Sequence, residues 1–426
     1  MAEMNKPAVV LFAIAILAVV AYLPTLSQPL IEDDYPNILL AREYGPPSGW
    51  SALFSDGVQR VRATSFILFS AAERTFGLNP TALYAISIFL HILNCFLVYA
   101  MGRWELVGYR VSAWAAAFFA VYEGHQEAVM WYSAVNELLL FVFGISAFIC
   151  LLIFLERGPR RYLWLAASIF LFVFALLSKE SAVIFVPLMA IPILFDAKNR
   201  SQIFALVPHA LLSTIVVTLI LATRGDSFRF TDRSFELSAP FWLTLTYSFA
   251  AMLWFWGILA LAVNAKWRER WRLVFASLAW MSVSFVPYMF VAYMHRIPSR
   301  QTYLASLGLA FIVGSAFVLL IQNTKLSRKL RPIIVGVIVI MFAANIAYLW
   351  TKKRQQFLAR AEPTEQLLNF VVERKGPIFV ECFPRPPIIG DTAVELKLGR
   401  KLGTLIWDKD KAFEISAADT FCYREK

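Results

Sequence analysis

Three acidic side chains stand where one of them could act as a general base. The first apolar segment of the chain ends at Leu26, and Glu32, Asp33 and Asp34 follow a few residues later. Neighbouring carboxylates repel each other, which raises the pKa of one of them toward the range that suits proton abstraction from a hydroxyl or an amine. The structural alternative is a solvated acidic loop that caps a helix beginning near Tyr35.

A second polar stretch joins two apolar segments between residues 124 and 137. It contains His125 and Glu127 and has no lysine or arginine. An imidazole and a carboxylate here could bind an acceptor molecule or support a base. A purely structural role at a helix end is the alternative. The aromatic and other polar members of the stretch include Trp131, Tyr132, Asn136 and Glu137.

Lys179 interrupts an apolar run that extends from 162 to 195. The pieces on either side, of about 17 and 15 residues, are short for a membrane span of roughly 20 residues. The turn between them is therefore predicted to lie below the membrane surface. A lysine at that depth needs an anion, which is either the adjacent Glu180 or an incoming phosphate group.

Arg296 and Arg300 stand in the run 295–304, which begins with His295 and contains Tyr303. Basic residues on this face of the membrane break the positive-inside pattern, so a function other than topology is expected to keep them there. A phosphate or pyrophosphate headgroup is a natural partner for them. Snorkelling of the arginine side chains to lipid phosphates is the alternative.

Composition places the chain in a membrane. Apolar residues make up 59% of the 426 residues and charged residues only 16%. A water-soluble domain with that balance would expose large apolar patches, so the bilayer must be part of the fold. The net charge of +11 does not indicate nucleic-acid binding, because the basic residues cluster in short loops between apolar runs. We therefore expect membrane lipids, and no nucleic acid, among the partners.

Eleven apolar stretches approach the length that a helix needs to cross the hydrocarbon of a bilayer. The predicted fold is therefore all-α and polytopic, with about eleven transmembrane helices. The first stretch lacks a small-residue cleavage site and is predicted to be an uncleaved span. The stretches are 8–26, 81–101, 111–122, 138–155, 162–178, 181–195, 203–222, 241–262, 273–293, 302–321 and 332–350.

Basic residues in alternate loops predict the orientation. One set of compact segments holds sixteen of them, whereas the opposite set spreads fewer over longer loops. The first set is therefore expected to be cytoplasmic, with the N-terminus, and an odd number of spans puts the C-terminal tail outside. The set is Lys6, Arg103, Arg110, Arg157, Arg160, Arg161, Lys198, Arg200, Lys266, Arg268, Arg270, Arg272, Lys325, Arg328, Lys329 and Arg331.

Two polar segments are long enough to fold outside the bilayer. The large first exterior loop, 27–80, contains a stretch at 64–76 that could lie along the membrane surface as a helix. We predict a transmembrane catalytic domain over 1–350 and a small exterior α/β domain over 351–426. The tail is predicted to contain helices at 363–374 and 391–401 and strands at 378–382 and 404–407.

The four cysteines of the chain show no metal-ligand spacing. Cys382 and Cys422 lie in the tail, where an exterior location would permit a disulfide that stabilises a small domain. The sequence leaves open whether the two meet. We expect no metal cofactor, although the carboxylates at 33, 34 and 127 could bind a divalent ion.

The predicted topology puts all four polar stretches on the exterior side. Acidic groups come from the N-terminal half, and basic groups are supplied at Lys179 and Arg300. Such a set could activate an acceptor while it holds an anionic leaving group.

Four short motifs carry a resemblance that covers residues 1 to about 350. In their order and approximate spacing they resemble the GT-C glycosyltransferases, and more closely the protein O-mannosyltransferase branch that includes the transmembrane and tetratricopeptide-repeat proteins. The motifs are Asp33-Asp34; His125-Gln126-Glu127-Ala128-Val129 with Asn136-Glu137-Leu138-Leu139; Leu176-Leu177-Ser178-Lys179-Glu180; and Arg300-Gln301-Thr302-Tyr303-Leu304-Ala305-Ser306-Leu307-Gly308.

The resemblance implies a sugar donor linked to polyprenyl phosphate that enters from the outer leaflet. It implies an inverting transfer of a hexose, mannose or a similar sugar, to an exterior hydroxyl on a protein, a glycan or a lipid. Residue by residue, it implies Asp33, and next Asp34, as the catalytic base; His125 and Glu127 as acceptor-binding or supporting groups; and Lys179, Arg300 and Tyr303 as ligands of the donor phosphate.

Two departures from the relatives concern the last motif. The relatives usually have an acid before the arginine and a proline after the tyrosine-leucine pair. In this chain Ser299 and Ala305 occupy those two positions. The repeat domain is also absent, so the sugar and the acceptor are open. A transporter of polyprenyl phosphate or lipid-linked sugar is the alternative, but transporters tend to show internal repeats, and none is detected here. A scaffold whose tail binds a partner is the third hypothesis.

Overall fold

The structure is a computed structural model. It describes residues 7–223, 225, 236, 239–290, 292, 296–322, 330–400, 403–411, 416 and 419–425. Some residues named above lie outside this described part: His295 of the candidate site, and Lys6, Lys325, Arg328 and Lys329 of the basic set.

Helices dominate the described residues, as the apolar runs predict. In hydrocarbon no water is available to the backbone, so each segment must satisfy its own N–H and C=O groups. The helices are α1 Pro7–Tyr22, α2 Asp34–Tyr44, α3 Trp50–Ser55, α4 Ala63–Phe76, α5 Pro80–Ala100, α6 Gly108–Val121, α7 Gln126–Met130, α8 Val135–Leu155, α9 Arg161–Leu176, α10 Phe185–Phe195, α11 Val207–Ala222, α12 Phe241–Leu253, α13 Trp256–Ala265, α14 Trp271–Phe285, α15 Ser306–Gln322, α16 Leu330–Tyr348, α17 Arg354–Val372 and α18 Pro387–Leu398.

Every predicted apolar stretch contains one of these helices, and the chain is a multi-pass membrane protein. Within the described residues, five helical stretches are long and apolar enough to cross a membrane, and α12 with α13, which meet at 81°, would make a sixth. The predicted count of eleven spans is not confirmed. Helices such as α6, with 14 residues, reach only about 21 Å, less than the thickness of the hydrocarbon.

Helix α8 lies at the centre of the bundle. Of its most apolar stretch 72% is buried inside the protein, against 28% for α1 and 17% for α11, so the latter two present more of their surface to lipid. Small residues permit close approach at two places. A Cβ on Gly144 of α8 would lie 2.1 Å from the Phe185 ring, and one on Gly314 of α15 would lie 2.6 Å from the carbonyl oxygen of Val111 on α6.

The loop over 27–80, which is predicted to be exterior, contains α2, α3 and α4, and α4 confirms the predicted helix at 64–76. Helices α2 and α4 pack together, and Arg42 on one donates two hydrogen bonds to Glu73 on the other, at 2.8 and 2.6 Å. Helix α18 of the tail packs onto α2. The tail is therefore attached to the first loop.

The tail is an α/β unit, as predicted. Helix α16 continues through a π turn into α17, and a sheet of three parallel strands follows in the order β2-β1-β3. The predicted strands at 378–382 and 404–407 are present, whereas the third strand was not predicted. The strands are β1 Ile378–Cys382, β2 Leu405–Ile406 and β3 Thr420–Cys422.

A disulfide joins Cys382 at the end of β1 to Cys422 in β3, with the two Cα atoms 4.6 Å apart. The structure thus answers the question that the sequence left open about these two cysteines. Cys95 and Cys150 are free thiols buried in the bundle.

Replacing Cys382 and Cys422 by Ser is expected to destabilise the tail by about 3 to 4 kcal/mol, because the disulfide closes a loop of 40 residues. The measurement is hydrogen exchange over residues 376–425 in detergent, with the Cys95→Ser, Cys150→Ser pair as the control. Non-reducing mass spectrometry that finds both tail thiols free would contradict the bridge.

Candidate active site

Asp33 lies at the rim of the bundle, where the first loop turns into α2. It precedes the first residue of that helix, and its side chain is exposed, whereas the neighbouring Asp34 is fully buried. Glu32 has a φ of +45°, a left-handed conformation that is uncommon for a residue with a side chain. The chain thus turns sharply just before the two aspartates, and the two carboxylates point to different surroundings.

The Asp34 carboxylate connects the first loop to the turn between α7 and α8. Its Oδ2 accepts a hydrogen bond from the Ile31 amide at 2.9 Å, and its Oδ1 accepts two from the amide and the hydroxyl of Ser133, both at 2.7 Å. Burial nevertheless raises the pKa of Asp34 to about 7. With both oxygens engaged and no exposure, this carboxylate is placed to hold the loop.

Glu32 is held by two arginines of the tail. Its Oε2 accepts a hydrogen bond from Arg360 of α17, and its Oε1 lies 2.9 Å from Nη2 of Arg385, which precedes α18. The Glu32 side chain is only 14% exposed, so its charge is largely removed from water and needs these partners.

Glu127 lies across the rim from Glu32 and contacts two arginines. Its Oε2 is 3.8 Å from Nη1 of Arg300 and accepts the Arg300 amide hydrogen at 3.2 Å, and its Oε1 is 3.9 Å from Nη1 of Arg360. Both guanidinium groups also lie over the Trp131 ring, at 4.8 Å for Arg300 and 4.3 Å for Arg360. The rim therefore carries a compact cluster of arginines and carboxylates around one indole.

Opposing charges act on the Asp33 carboxyl. Although the side chain is exposed, partial desolvation by the surrounding protein raises its pKa above the usual value, and the negative charge of Glu32 raises it further. The guanidinium groups of Arg300, Arg360 and Arg62 lower it. Asp33 is thus an exposed carboxylate with a raised pKa that faces three cations, which suits a group that takes a proton near a developing anion.

Lys179 lies deeper, between α9 and α10, and is paired with Glu137 at the start of α8. Both side chains are at most 5% exposed, and the Lys179 Nζ also lies 4.9 Å from the centre of the Tyr288 ring. The adjacent Glu180, which the sequence offers as the partner of Lys179, lies instead 3.9 Å from Arg62. The recessed lysine therefore finds its carboxylate across the bundle, on a different helix.

His125 and Tyr303 are buried together in the interior rather than at the rim. The His125 Nε2 is 2.6 Å from the Ser306 hydroxyl, and the centres of the His125 and Tyr303 rings lie 4.5 Å apart. The Tyr303 hydroxyl is 2.7 Å from Nδ1 of His91 and accepts a hydrogen bond from Asn94 at 3.3 Å. Both side chains are at most 1% exposed.

The structure thus brings three of the predicted site residues, Asp33, Glu127 and Arg300, to one rim cluster. Asp34, His125, Tyr303 and Lys179 lie buried behind it. Sequence reasoning missed Arg360 and Arg385, because arginines in a polar tail give no signal that separates them from solvated ones. Within the described residues, no group of three or more His, Cys, Asp or Glu side chains is arranged to hold a metal ion.

An apolar groove of about 590 Å³ opens beside α12, and Arg296 contributes to its lining. Apart from that guanidinium, the residues that line it are Leu243, Tyr247, Ala250, Ala251 and Trp254. An apolar wall with one cation suits an amphiphile that has an anionic headgroup.

Comparisons with solved structures bear on the fold. AglB, an archaeal oligosaccharyltransferase from Archaeoglobus fulgidus solved with an inhibitory peptide and a dolichol-phosphate, matches with a TM-score of 0.60 and 12% identity over 96% of this chain. ArnT from Cupriavidus metallidurans, bound to undecaprenyl phosphate, matches with a TM-score of 0.53 and 12% identity, covering 96% of this chain and 91% of its own. This chain has the GT-C fold.

The likeness is one of fold at low sequence identity. This chain covers 65% of the AglB chain, so it spans slightly less than two thirds of that protein. No family model matches the sequence, and no curated protein matches it. The GT-C resemblance seen in the motifs is confirmed at the level of the fold, whereas its O-mannosyltransferase branch stays a prediction.

Replacing Lys179 by Met is expected to destabilise the protein by about 3 to 5 kcal/mol, because Glu137 is left buried and unpaired. The double replacement Lys179→Met, Glu137→Leu should recover most of that loss, since no charge then stays buried. Unfolding in detergent micelles measures both. Lys198→Met, which removes an exposed cation, is the control and should change little. A single variant as stable as the control would contradict the pairing.

Proposed function

We propose that the protein is a membrane glycosyltransferase that moves a sugar from polyprenyl phosphate to the hydroxyl of an acceptor. The observation that carries this proposal is the exposed Asp33 carboxylate at a rim where Arg300, Arg360 and Arg62 act on it. A base and several cations in one place suit a reaction that deprotonates a nucleophile and releases an anion. The GT-C fold supports the proposal, and AglB and ArnT were solved with dolichol-phosphate and undecaprenyl phosphate, respectively.

The reaction is a single displacement. The Asp33 carboxylate takes the proton of the acceptor hydroxyl, and the acceptor oxygen forms a bond to the anomeric carbon of the sugar. The bond from that carbon to the phosphate oxygen breaks, and its electron pair leaves with the polyprenyl phosphate. Attack from the face opposite the leaving group inverts the anomeric configuration.

Arg300 is the proposed ligand of the departing phosphate, because its guanidinium lies at the rim, a quarter exposed, and an arginine can bind two phosphate oxygens at once. Lys179 adds positive charge behind it, paired with Glu137. Glu127 binds the Arg300 amide and guanidinium and so fixes the turn that presents this arginine. These assignments place the growing negative charge next to the cations.

Asp34, His125 and Tyr303 receive supporting parts in the proposal. Asp34 holds the first loop through Ile31 and Ser133. His125 and Tyr303 lie in the buried network behind the turn at 299–302, so they fix the packing of that turn and do not touch the donor. Tyr303 is accordingly not proposed as a phosphate ligand.

The membrane orientation is also part of the proposal. The disulfide between Cys382 and Cys422 supports an exterior tail, because disulfides persist in oxidising compartments. Since α18 packs onto α2, the first loop and the rim cluster share the side of the tail. The N-terminus is then cytoplasmic, residues 1–350 form the transmembrane catalytic domain and 351–426 the exterior domain. The acceptor is a protein, a glycan or a lipid on that side, and the sugar is mannose or a similar hexose.

Replacing Asp33 by Asn is expected to lower sugar transfer by at least about 100-fold, because the amide cannot accept the proton of the acceptor. The assay uses the protein in bacterial membrane vesicles with undecaprenyl phosphate that carries tritiated mannose, and then glucose and galactose. The measured quantity is the tritium in covalent products that have been separated from the lipid donor.

Glu43→Gln is the matched control, since it removes an exposed acid of the same loop. Full transfer by the Asp33→Asn protein would contradict the proposed base. Movement of the labelled donor across the membrane without any covalent transfer would favour the transporter instead.

A further inference from the structure

Glu32 occupies a backbone conformation that its surroundings must hold. Its φ of +45° is unfavourable for a residue with a side chain, and such conformations persist where neighbouring contacts over-determine them. Here the neighbours are the guanidinium groups of Arg360 and Arg385, one on each carboxylate oxygen. No other segment provides a described ion pair to this carboxylate.

Arg360 also contacts a second carboxylate of the rim cluster. Besides Glu32 it contacts Glu127, at 3.9 Å, and stacks over the Trp131 ring. Its side chain is 24% exposed, so water competes only partly for these contacts. One side chain from α17 therefore joins the first loop to the connection between α6 and α8.

The position of Glu32 determines that of Asp33. The two residues are adjacent, and the helix that follows begins with hydrogen bonds from the Tyr35 amide to the Glu32 carbonyl, at 3.3 Å, and from the Asn37 amide to the Asp33 carbonyl, at 3.1 Å. A change in the Glu32 backbone would therefore move the Asp33 carboxylate relative to Arg300.

We propose that Arg360 and Arg385 of the C-terminal segment are positioning residues of the active site, which hold Glu32 and thereby fix the position of the Asp33 carboxylate relative to Arg300. The tail is then an integral part of the catalytic machinery. This inference rests on the proposed function, because it takes Asp33 as the base.

The fold supports this assignment by fixing both arginines. Arg385 stands three residues after Cys382, whose disulfide ties β1 to β3. It also stands two residues before the start of α18, which packs onto α2. Arg360 lies on α17, which continues from the membrane helix α16. The two arginines thus approach Glu32 from a framework that is joined to the bundle and to the first loop.

Charged groups from several elements face Asp33, and they decide the expected pH dependence. Glu32 and Asp34 come from its own loop, and cations come from the turn before α4, from the turn before α15 and from α17. Removing Arg360 takes away a positive charge that lowers the Asp33 pKa, so the acidic limb of the pH–rate profile should move to higher pH. Removing the Glu32 charge should move it to lower pH.

The test compares Arg360→Gln and Glu32→Gln in the sugar-transfer assay. Both variants should lower kcat by roughly 10- to 100-fold with a smaller change in KM, because a small misplacement of a reacting group has effects of that size. Their acidic limbs should move in opposite directions. Arg360→Lys, which keeps the charge and loses the planar fork, should show a reduced kcat with a limb near that of the unchanged protein.

Arg42→Gln is the matched control, because it removes an arginine–glutamate pair between α2 and α4, and Arg42 is not among the charges that act on Asp33. The Arg42→Gln protein should keep the wild-type rate and the wild-type position of the acidic limb of the pH–rate profile. A wild-type rate and an unmoved limb in the Arg360→Gln protein would overturn the proposal, and so would limbs that move in the same direction in the Glu32→Gln and Arg360→Gln proteins.

A measurement without catalysis separates this proposal from the proposed function. Hydrogen exchange of the amides of residues 31–37 should become faster in the Arg360→Gln and Arg385→Gln proteins and stay unchanged in the Arg42→Gln protein. Unchanged exchange in the first two variants would overturn the positioning role. If exchange becomes faster in these variants but the unchanged protein transfers no sugar from any of the donors, the two arginines do hold Glu32, and the proposed enzyme activity is refuted.

Discussion

The buried carboxylate of Asp34 is the constraint on which the polar rim depends. It accepts hydrogen bonds from Ile31 and Ser133 and thereby joins the loop after α1 to the turn before α8, a largely buried membrane helix. A carboxylate without such partners could not stay in that place, because an unpaired buried charge is costly. The neighbouring Asp33 is directed outward by the same turn. Asp34 therefore holds the loop in place, and Asp33 remains exposed at the rim.

Charges near the hydrocarbon are paired across the fold rather than along the chain. Glu127 and Glu32 are bridged by Arg360, and Lys179 reaches Glu137, 42 residues earlier. The same groups supply the field in which Asp33 titrates and into which a leaving phosphate would move.

The sequence predicted the features that depend on the contrast between apolar residues and charged residues close together in the chain. Apolar runs gave the position of the helices, and charges that interrupt them marked Asp33, Lys179 and Arg300 as unusual. It could not predict what depends on distant contacts. Nothing in the spacing indicates that Lys179 pairs with Glu137 instead of the adjacent Glu180, and Arg360 and Arg385 look like ordinary arginines of a solvated tail. Nor can a motif tell a buried His125 or Tyr303 from an exposed one. The predicted count of eleven spans is not confirmed for a related reason, since helices as short as α6 are apolar without being long enough to cross on their own.

The most direct test of the account is a cryo-electron microscopy structure of the protein in lipid nanodiscs with undecaprenyl phosphate. We expect the phosphate to lie within about 3 Å of the Arg300 guanidinium, with the Asp33 carboxylate facing the space where a sugar on that phosphate would sit. Binding of the phosphate at a site remote from Arg300 and Asp33, such as the opposite end of the helices, would contradict it.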